Sequence, residues 1–308
     1  MGGRAFGFYL SLLVLVSCSP EAGSDRAIPD EADQALAEAE MPDFTGIPIW
    51  RVADPEDLLL IETRHGVVTV ELSDEFAPHH AARMRQAARD GFFDGRDFYR
   101  VIDGFVAQGG RGEEADSVDL PQYPVLTGEF HRPSEGITFT AMIDDDLYAP
   151  VVGHVNGFPA AQSADGAETW LIHCPGTVAM ARDNGPDTGD VEFYIVLGQG
   201  PRHLDRIMSV FGRVIDGMDH VQALNRGDPM VNSGVIADPD MRDPILSMHI
   251  AADLPEAQRP AYEIMRTDGA AFHAAKAARR NRTAEFFFER PPAVIEACHM
   301  PARARRVN

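Results

Sequence analysis

Apolar residues in this chain fall mostly into short runs with the two-residue period of strands, separated by turn-forming Gly, Asn, Asp and Pro. Leu58-Leu59-Leu60-Ile61-Glu62-Thr63 and Val67-Val68-Thr69-Val70-Glu71-Leu72, divided by Arg64-His65-Gly66, predict a β-hairpin. Pro78 suits the first turn of a helix reaching about Asp90, with Ala81, Met84 and Ala88 along one face and Gly91 ending it. Over residues 97–110, strand period sends Arg100 and Ile102 to one side and Tyr99 and Val101 to the other. Asp103-Gly104 then turns the chain, and Phe105 begins a second strand. Residues 210–215 read as a strand leading into a short helix that ends near Leu224, and Ile245-Leu246-Ser247-Met248-His249-Ile250 is a last alternating strand. The pattern predicts a mainly β fold of about eight strands with two helices, in which the last strand is able to close the sheet.

Outside these runs the pattern changes. Residues 19–55 are rich in Ala, Glu, Asp and Pro with few large apolar side chains, which predicts a flexible linker. The barrel domain is then expected over residues 56–252. It is interrupted by a long segment, about 120–170, that reads as an insertion on a surface loop. Beyond Leu254 the spacing of Tyr262, Met265 and Phe272 is helical, as is the Ala/Arg-rich run to Phe288, before Pro291-Pro292 breaks it. Residues 253–308 are therefore expected to be an Arg-rich helical extension.

At the N-terminus Arg4 precedes an apolar run, residues 5–16, too short to span a bilayer, which ends at Leu15-Val16-Ser17-Cys18. This is the pattern of an export signal over residues 1–18. Ser17 before Cys18 resembles the bacterial lipobox, which implies lipidation of Cys18 and a membrane anchor in the cell envelope, facing the periplasm. A plain secretory signal with an incidental cysteine is the alternative. Export leaves Cys174 and Cys298 as a pair in an oxidising compartment; they form either a disulfide or two small buried thiols.

The net charge of −21 is unevenly placed. From Arg259 onward ten basic residues face five acidic ones, a net of +5, so the rest of the chain carries −26. So acidic a body argues against nucleic acid as a partner, since phosphate binding needs a basic groove. Solitary cysteines and histidines without His-Glu-x-x-His or Cys/His spacing give no metal site.

The run Phe98-Tyr99-Arg100-Val101-Ile102, followed by Gly104-Phe105 and Gln108-Gly109-Gly110, resembles the first half of the cyclophilin-type peptidyl-prolyl isomerase signature. Two later segments support the resemblance in the right order. Gly176-Thr177-Val178-Ala179-Met180-Ala181-Arg182 leads into Glu192-Phe193-Tyr194-Ile195, and Leu204-Asp205 is followed by Met208 and Phe211-Gly212-Arg213-Val214. The resemblance implies a closed eight-stranded antiparallel cyclophilin-like barrel capped by two helices, which twists X-Pro bonds of proline-containing polypeptides without a cofactor. Arg100 and Gln108 become the catalytic pair, and the substrate is expected to meet Phe105, Val106, Ala181, Arg182, Glu192, Phe193, Tyr194, Leu204 and Met208.

The pocket departs from the family in Val106 for Met, Tyr194 for the second Phe and Met208 for a common His. Glu192 replaces the Gln that precedes the aromatic pair. A carboxylate reaching Arg100 would compete for its guanidinium, so the sequence leaves two readings open: an isomerase of envelope proteins, or a non-catalytic proline-peptide binding module or holdase on the same fold.

Overall fold

In the computed structural model, which describes residues 43–112 and 120–307, the apolar runs form strands close to where their period places them. Strand β1 (Trp50–Val52) precedes the hairpin of β2 (Leu58–Thr63) and β3 (Gly66–Leu72), whose register sets Leu59 opposite Val70 and Ile61 opposite Val68. Helix α1 (Pro78–Arg89) starts on its proline and buries Ala81, Met84 and Ala88. Next come β4 (Asp97–Phe98), β5 (Arg100–Val101) and β6 (Val106–Gly109). The insertion holds β7 (Arg132–Pro133), β8 (Thr140–Ala141), β9 (Val151–Val155), β10 (Phe158–Gln162) and β11 (Glu168–Leu171). Strands β12 (Thr177–Met180), β13 (Phe193–Val196) and β14 (Val210–Asp216), the short helix α2 (Met218–Gln222) and β15 (Asp243–Ile250) follow. The extension contributes β16 (Tyr262–Met265), α3 (Ala270–Arg280) and β17 (Ala304–Arg306).

Nine of these strands pair in one antiparallel sheet, in the order β4-β15-β2-β3-β14-β12-β13-β6-β5. Its two outermost strands are consecutive in the chain and divided only by Tyr99, so the ends of the sheet meet. Counted as one strand bent at Tyr99, β4 and β5 make this the closed eight-stranded barrel that the resemblance implies. Closure sends alternate side chains inward: Val68, Val70 and Leu72 from β3, Phe98, Phe193 and Phe211 from around the ring. Ala81 and Met84 of α1 and Val221 of α2 join the same core.

The ends of the chain depart from expectation. The predicted linker, residues 19–55, gives way before its end to β1, which pairs with β16, and Ala53 beyond it is buried. The residues before 43, with Cys18 and the rest of the signal segment, lie outside the described residues. Tyr262 and Met265 are not on a helix but on β16, between β1 and β17. Three positions apart on a strand, they point to opposite faces: Tyr262 and Ile264 pack on Leu58 and Leu60 of the barrel, while Met265 enters a second core. The extension is thus part strand, part helix, and α3 ends at Arg280 rather than running to Phe288.

The insertion is not a loop. Its strands form a five-stranded sheet, β7-β11-β10-β9-β8, whose apolar face meets the extension. Met142, Val152, Trp170 and Ile172 pack there with Phe272, Ile295 and Met300, and Trp50 reaches in from β1. A Cys174–Cys298 disulfide with Cα atoms 5.0 Å apart joins the two segments.

Candidate functional site

Arg100 stands on β5 directly opposite Gln108 of β6. Its Nη1 donates to Gln108 Oε1 at 3.1 Å and its Nε donates to the Ser233 carbonyl at 2.9 Å. Ser233 lies in a tight turn where Asn232, Ser233 and Gly234 all have positive φ, 45°, 53° and 85°. Those values are uncommon for non-glycine residues, so the turn is held by its surroundings, including the bridge from Val235 to Arg100. Among the described residues nothing binds Nη2, so one edge of a fixed guanidinium faces outward. Burial lowers the Arg100 pKa from its ordinary value, but an arginine stays charged at any physiological pH.

Glu192 makes no ion pair with Arg100 among the described residues. Its carboxylate accepts from the Gly112 N–H at 2.8 Å and from the Tyr99 hydroxyl at 2.9 Å. Gln108 Nε2 in turn donates to the Tyr99 oxygen at 2.6 Å, completing a relay Glu192–Tyr99–Gln108–Arg100. Burial raises the Glu192 pKa, opposed by these hydrogen bonds, and burial together with the Glu192 charge raises that of Tyr99. The carboxylate rests against Gly110, where φ is +144° and a Cβ would come within 2.8 Å of it. Strict alternation puts Tyr99 opposite Arg100; the bend between β4 and β5 breaks that alternation and brings its hydroxyl back to Gln108.

Beside the guanidinium lies an apolar patch on the outer face of the barrel. Val106 and Tyr194 are buried at its base, and Phe105, Ala181, Leu204 and Met208 stand half-buried around them. The Arg100 guanidinium carbon is 5.9 Å from the Phe105 ring centre. Arg100, Phe105, Val106, Ala181, Tyr194, Leu204 and Met208 thus gather with Gln108 around this patch, and Glu192 joins them through Tyr99. One does not contribute as expected. Phe193 is fully buried inside the barrel, edge-on to Phe93 and Phe98 with ring centres 5.6 and 5.8 Å apart, because neighbours on a strand face opposite ways and Tyr194 takes the outer face. Arg182 lines, with Gln108, Ala181 and Glu192, the polar cavity beside the patch, and its guanidinium donates to the backbone carbonyls of Ile207 at 2.9 Å and Asp183 at 2.8 Å, which ties the Leu204–Met208 loop to the one after β12. That cavity, of about 170 Å³, is lined by Tyr99 and Asp190 as well.

Sequence reasoning missed four contributors. Tyr99 belongs to the relay, and the aromatic directly before Arg100 was its only signal. Ser233 lies too far along the chain to be connected to Arg100 by pattern. Ile137 and Phe139 of the insertion pack against the apolar patch, and no motif marks them.

An apolar patch beside a held cation with an unpaired Nη2 suits a peptide-bond isomerase, whose chemistry needs no nucleophile. The family model "Cyclophilin type peptidyl-prolyl cis-trans isomerase/CLD" matches residues 58–250. A Brucella suis protein named "Probable peptidyl-prolyl cis-trans isomerase" is 29% identical over 211 residues, 65% of this chain and 86% of the relative. Peptidyl-prolyl cis-trans isomerase B of Bacillus subtilis is 31% identical over 163 residues, 53% of this chain and 86% of its own. The crystal structure of cyclophilin AquaCyp293 from Hirschia baltica superposes with a TM-score of 0.67 at 32% identity, covering 83% of this chain and 93% of that one. That coverage extends past the barrel into the added segments. The chain belongs to the cyclophilin-type peptidyl-prolyl cis-trans isomerase family, and its activity is isomerisation of the peptide bond before proline.

Proposed function

We propose that the protein isomerises X-Pro bonds of polypeptides maturing in the cell envelope, with Arg100 as the donor to the prolyl amide and Gln108 as its holder. Amide resonance opposes rotation by about 18–20 kcal/mol. As the bond twists, the prolyl nitrogen's lone pair leaves conjugation and becomes a better acceptor. A guanidinium already in place binds that twisted state more tightly than the planar one, and only such differential binding accelerates the step. Phe105, Val106, Tyr194, Leu204 and Met208 would take the ring, and no cofactor enters.

The observation that carries this reading is the fixed guanidinium with an outward Nη2 and no contact to Glu192. The envelope location is supported by the N-terminal apolar run ending at Cys18 and by a disulfide, a bond that persists in oxidising compartments. In a protease-coupled isomerisation assay on a short Ala-Pro peptide, Arg100→Ala is expected to lower kcat/KM by roughly 10²–10³-fold with the far-ultraviolet spectrum unchanged. A loss of less than about threefold would remove Arg100 from the chemistry. For the anchor, Cys18→Ala should shift the protein from the membrane fraction to the soluble envelope fraction or block its processing; unchanged membrane retention and processing would refute lipidation.

A further inference from the structure

Beneath the apolar patch runs a buried polar chain that the isomerase reading does not use. Tyr194, at the base of that patch, has its hydroxyl 2.8 Å from His173 Nε2, with the two rings stacked at an interplanar angle of 15°. His173 is wholly buried, and its Nδ1 lies 2.9 Å from Asp205 Oδ1, which also accepts the His173 backbone N–H at 2.9 Å. Asp205 Oδ2 accepts from Arg202 Nε at 2.6 Å, and Arg202 pairs through both terminal nitrogens with Asp146 of the insertion at 3.0 Å. The chain backbone closes tightly over this histidine: a Cβ on Gly200 would lie 2.0 Å from the His173 carbonyl oxygen.

We propose that His173 is a positioning residue of the proline pocket, fixing its floor and its rim together. With Nδ1–H donated to the Asp205 carboxylate, the neutral ring offers Nε2 as an acceptor to the Tyr194 hydroxyl. A buried hydroxyl with no partner would cost free energy and turn away, so the histidine keeps the tyrosine ring flat as an apolar surface. Through Asp205 the same imidazole holds the loop position beside Leu204, which belongs to the same apolar patch. The Asp146–Arg202 pair then makes the inserted sheet part of the pocket's support. This rests on the pocket reading above.

The test separates the two bonds of the imidazole. His173→Asn places its amide near the Nδ1 position and keeps Asp205; His173→Gln reaches the Nε2 position and keeps Tyr194. In the full-length protein, His173→Asn is expected to raise KM for an Ala-Pro peptide by roughly tenfold, the scale of one buried hydrogen bond, with kcat within about twofold. His173→Gln, which keeps the floor but releases Asp205 at the rim, should raise KM by a smaller factor, roughly threefold, and in a Tyr194→Phe background His173→Asn should add nothing further. If the Asn variant lowers Tm while KM stays at the wild-type value, or if its effect on KM persists undiminished in the Tyr194→Phe background, the positioning role is overturned. Arg100→Ala, assayed alongside, distinguishes the two levels: if it collapses kcat/KM, a failure with His173 is the failure of this inference alone, and if it does not, both fall.

Discussion

The interior of the barrel and the core under the inserted sheet are both filled with large apolar side chains, yet they are closed by different means. In the barrel, Phe93, Phe98, Phe193 and Phe211 meet inside a ring in which only β2–β3, β12–β13 and β5–β6 pair as chain neighbours, and each strand of that ring, with β4 and β5 taken as one, is hydrogen-bonded on both sides. The second core draws Trp50, the residues around Val152 and Trp170, and Phe272, Ile295 and Met300 from three distant stretches. It is smaller, it includes the buried His154 and Lys276 at its margin, and a disulfide spanning 124 residues joins its halves. A closed sheet can rest on burial alone, whereas a small core assembled from remote segments gains from a covalent tie that limits the unfolded chain.

The largest effect that tests this contrast is in the barrel. Phe193→Ala removes a fully buried ring wedged between Phe93 and Phe98, and should cost about 3–5 kcal/mol in urea unfolding. The folded fraction should keep its isomerase activity, because the ring faces inward; a selective loss of activity without loss of stability would return Phe193 to the pocket.

Cys298→Ala addresses the other core. Opening the Cys174–Cys298 bridge should destabilise by about 2–5 kcal/mol, read by hydrogen exchange as lost protection in β9 to β11 and α3 while β2 and β3 stay protected. Equal loss in both regions would make them one cooperative unit and dissolve the comparison.

The smallest effect is one of pH. Burial, helped by the nearby Lys276 and Arg213 charges, drives the His154 pKa down to about 3, against a weaker upward pull from the Met300 backbone. Between that value and about 6.5, the unfolded chain binds a proton that the folded one refuses, so stability falls as pH drops through this window by about 1.4 kcal/mol over each pH unit, less than either substitution above removes. His154→Gln should flatten that slope in denaturant titrations at successive pH values; an unchanged slope would place the acid sensitivity elsewhere.

The legibility of each region follows from how local its logic is. The hairpin of β2 and β3, helix α1 and the Arg100 strand could be read because periodicity, Pro78 and the glycines act within a few residues. Thr69 and Glu71 show the limit. On the outward face of β3 they look like solvent positions, yet both are buried where the extension packs, and Glu71 is paired with Arg213. Tyr262 and Met265 misled for a related reason: a spacing of three suits a helix face equally well, and only the presence of two cores, one on each side, makes it a strand. Glu192 was recognised as the departure that mattered, but its direction depended on the Gly112 N–H and Tyr99 hydroxyl that receive it.

By itself the sequence determined the strands, the first hairpin and the residue types of the site, because strand alternation, turn chemistry and the Arg100–Gln108 spacing are properties of short stretches of chain. The tertiary structure alone decided that the insertion and the extension share a core, that Glu192 reaches Arg100 only through Tyr99 and Gln108, and that His173 supports Tyr194. Those outcomes turn on which partner satisfies each buried polar group, and that choice is made among residues scores of positions apart.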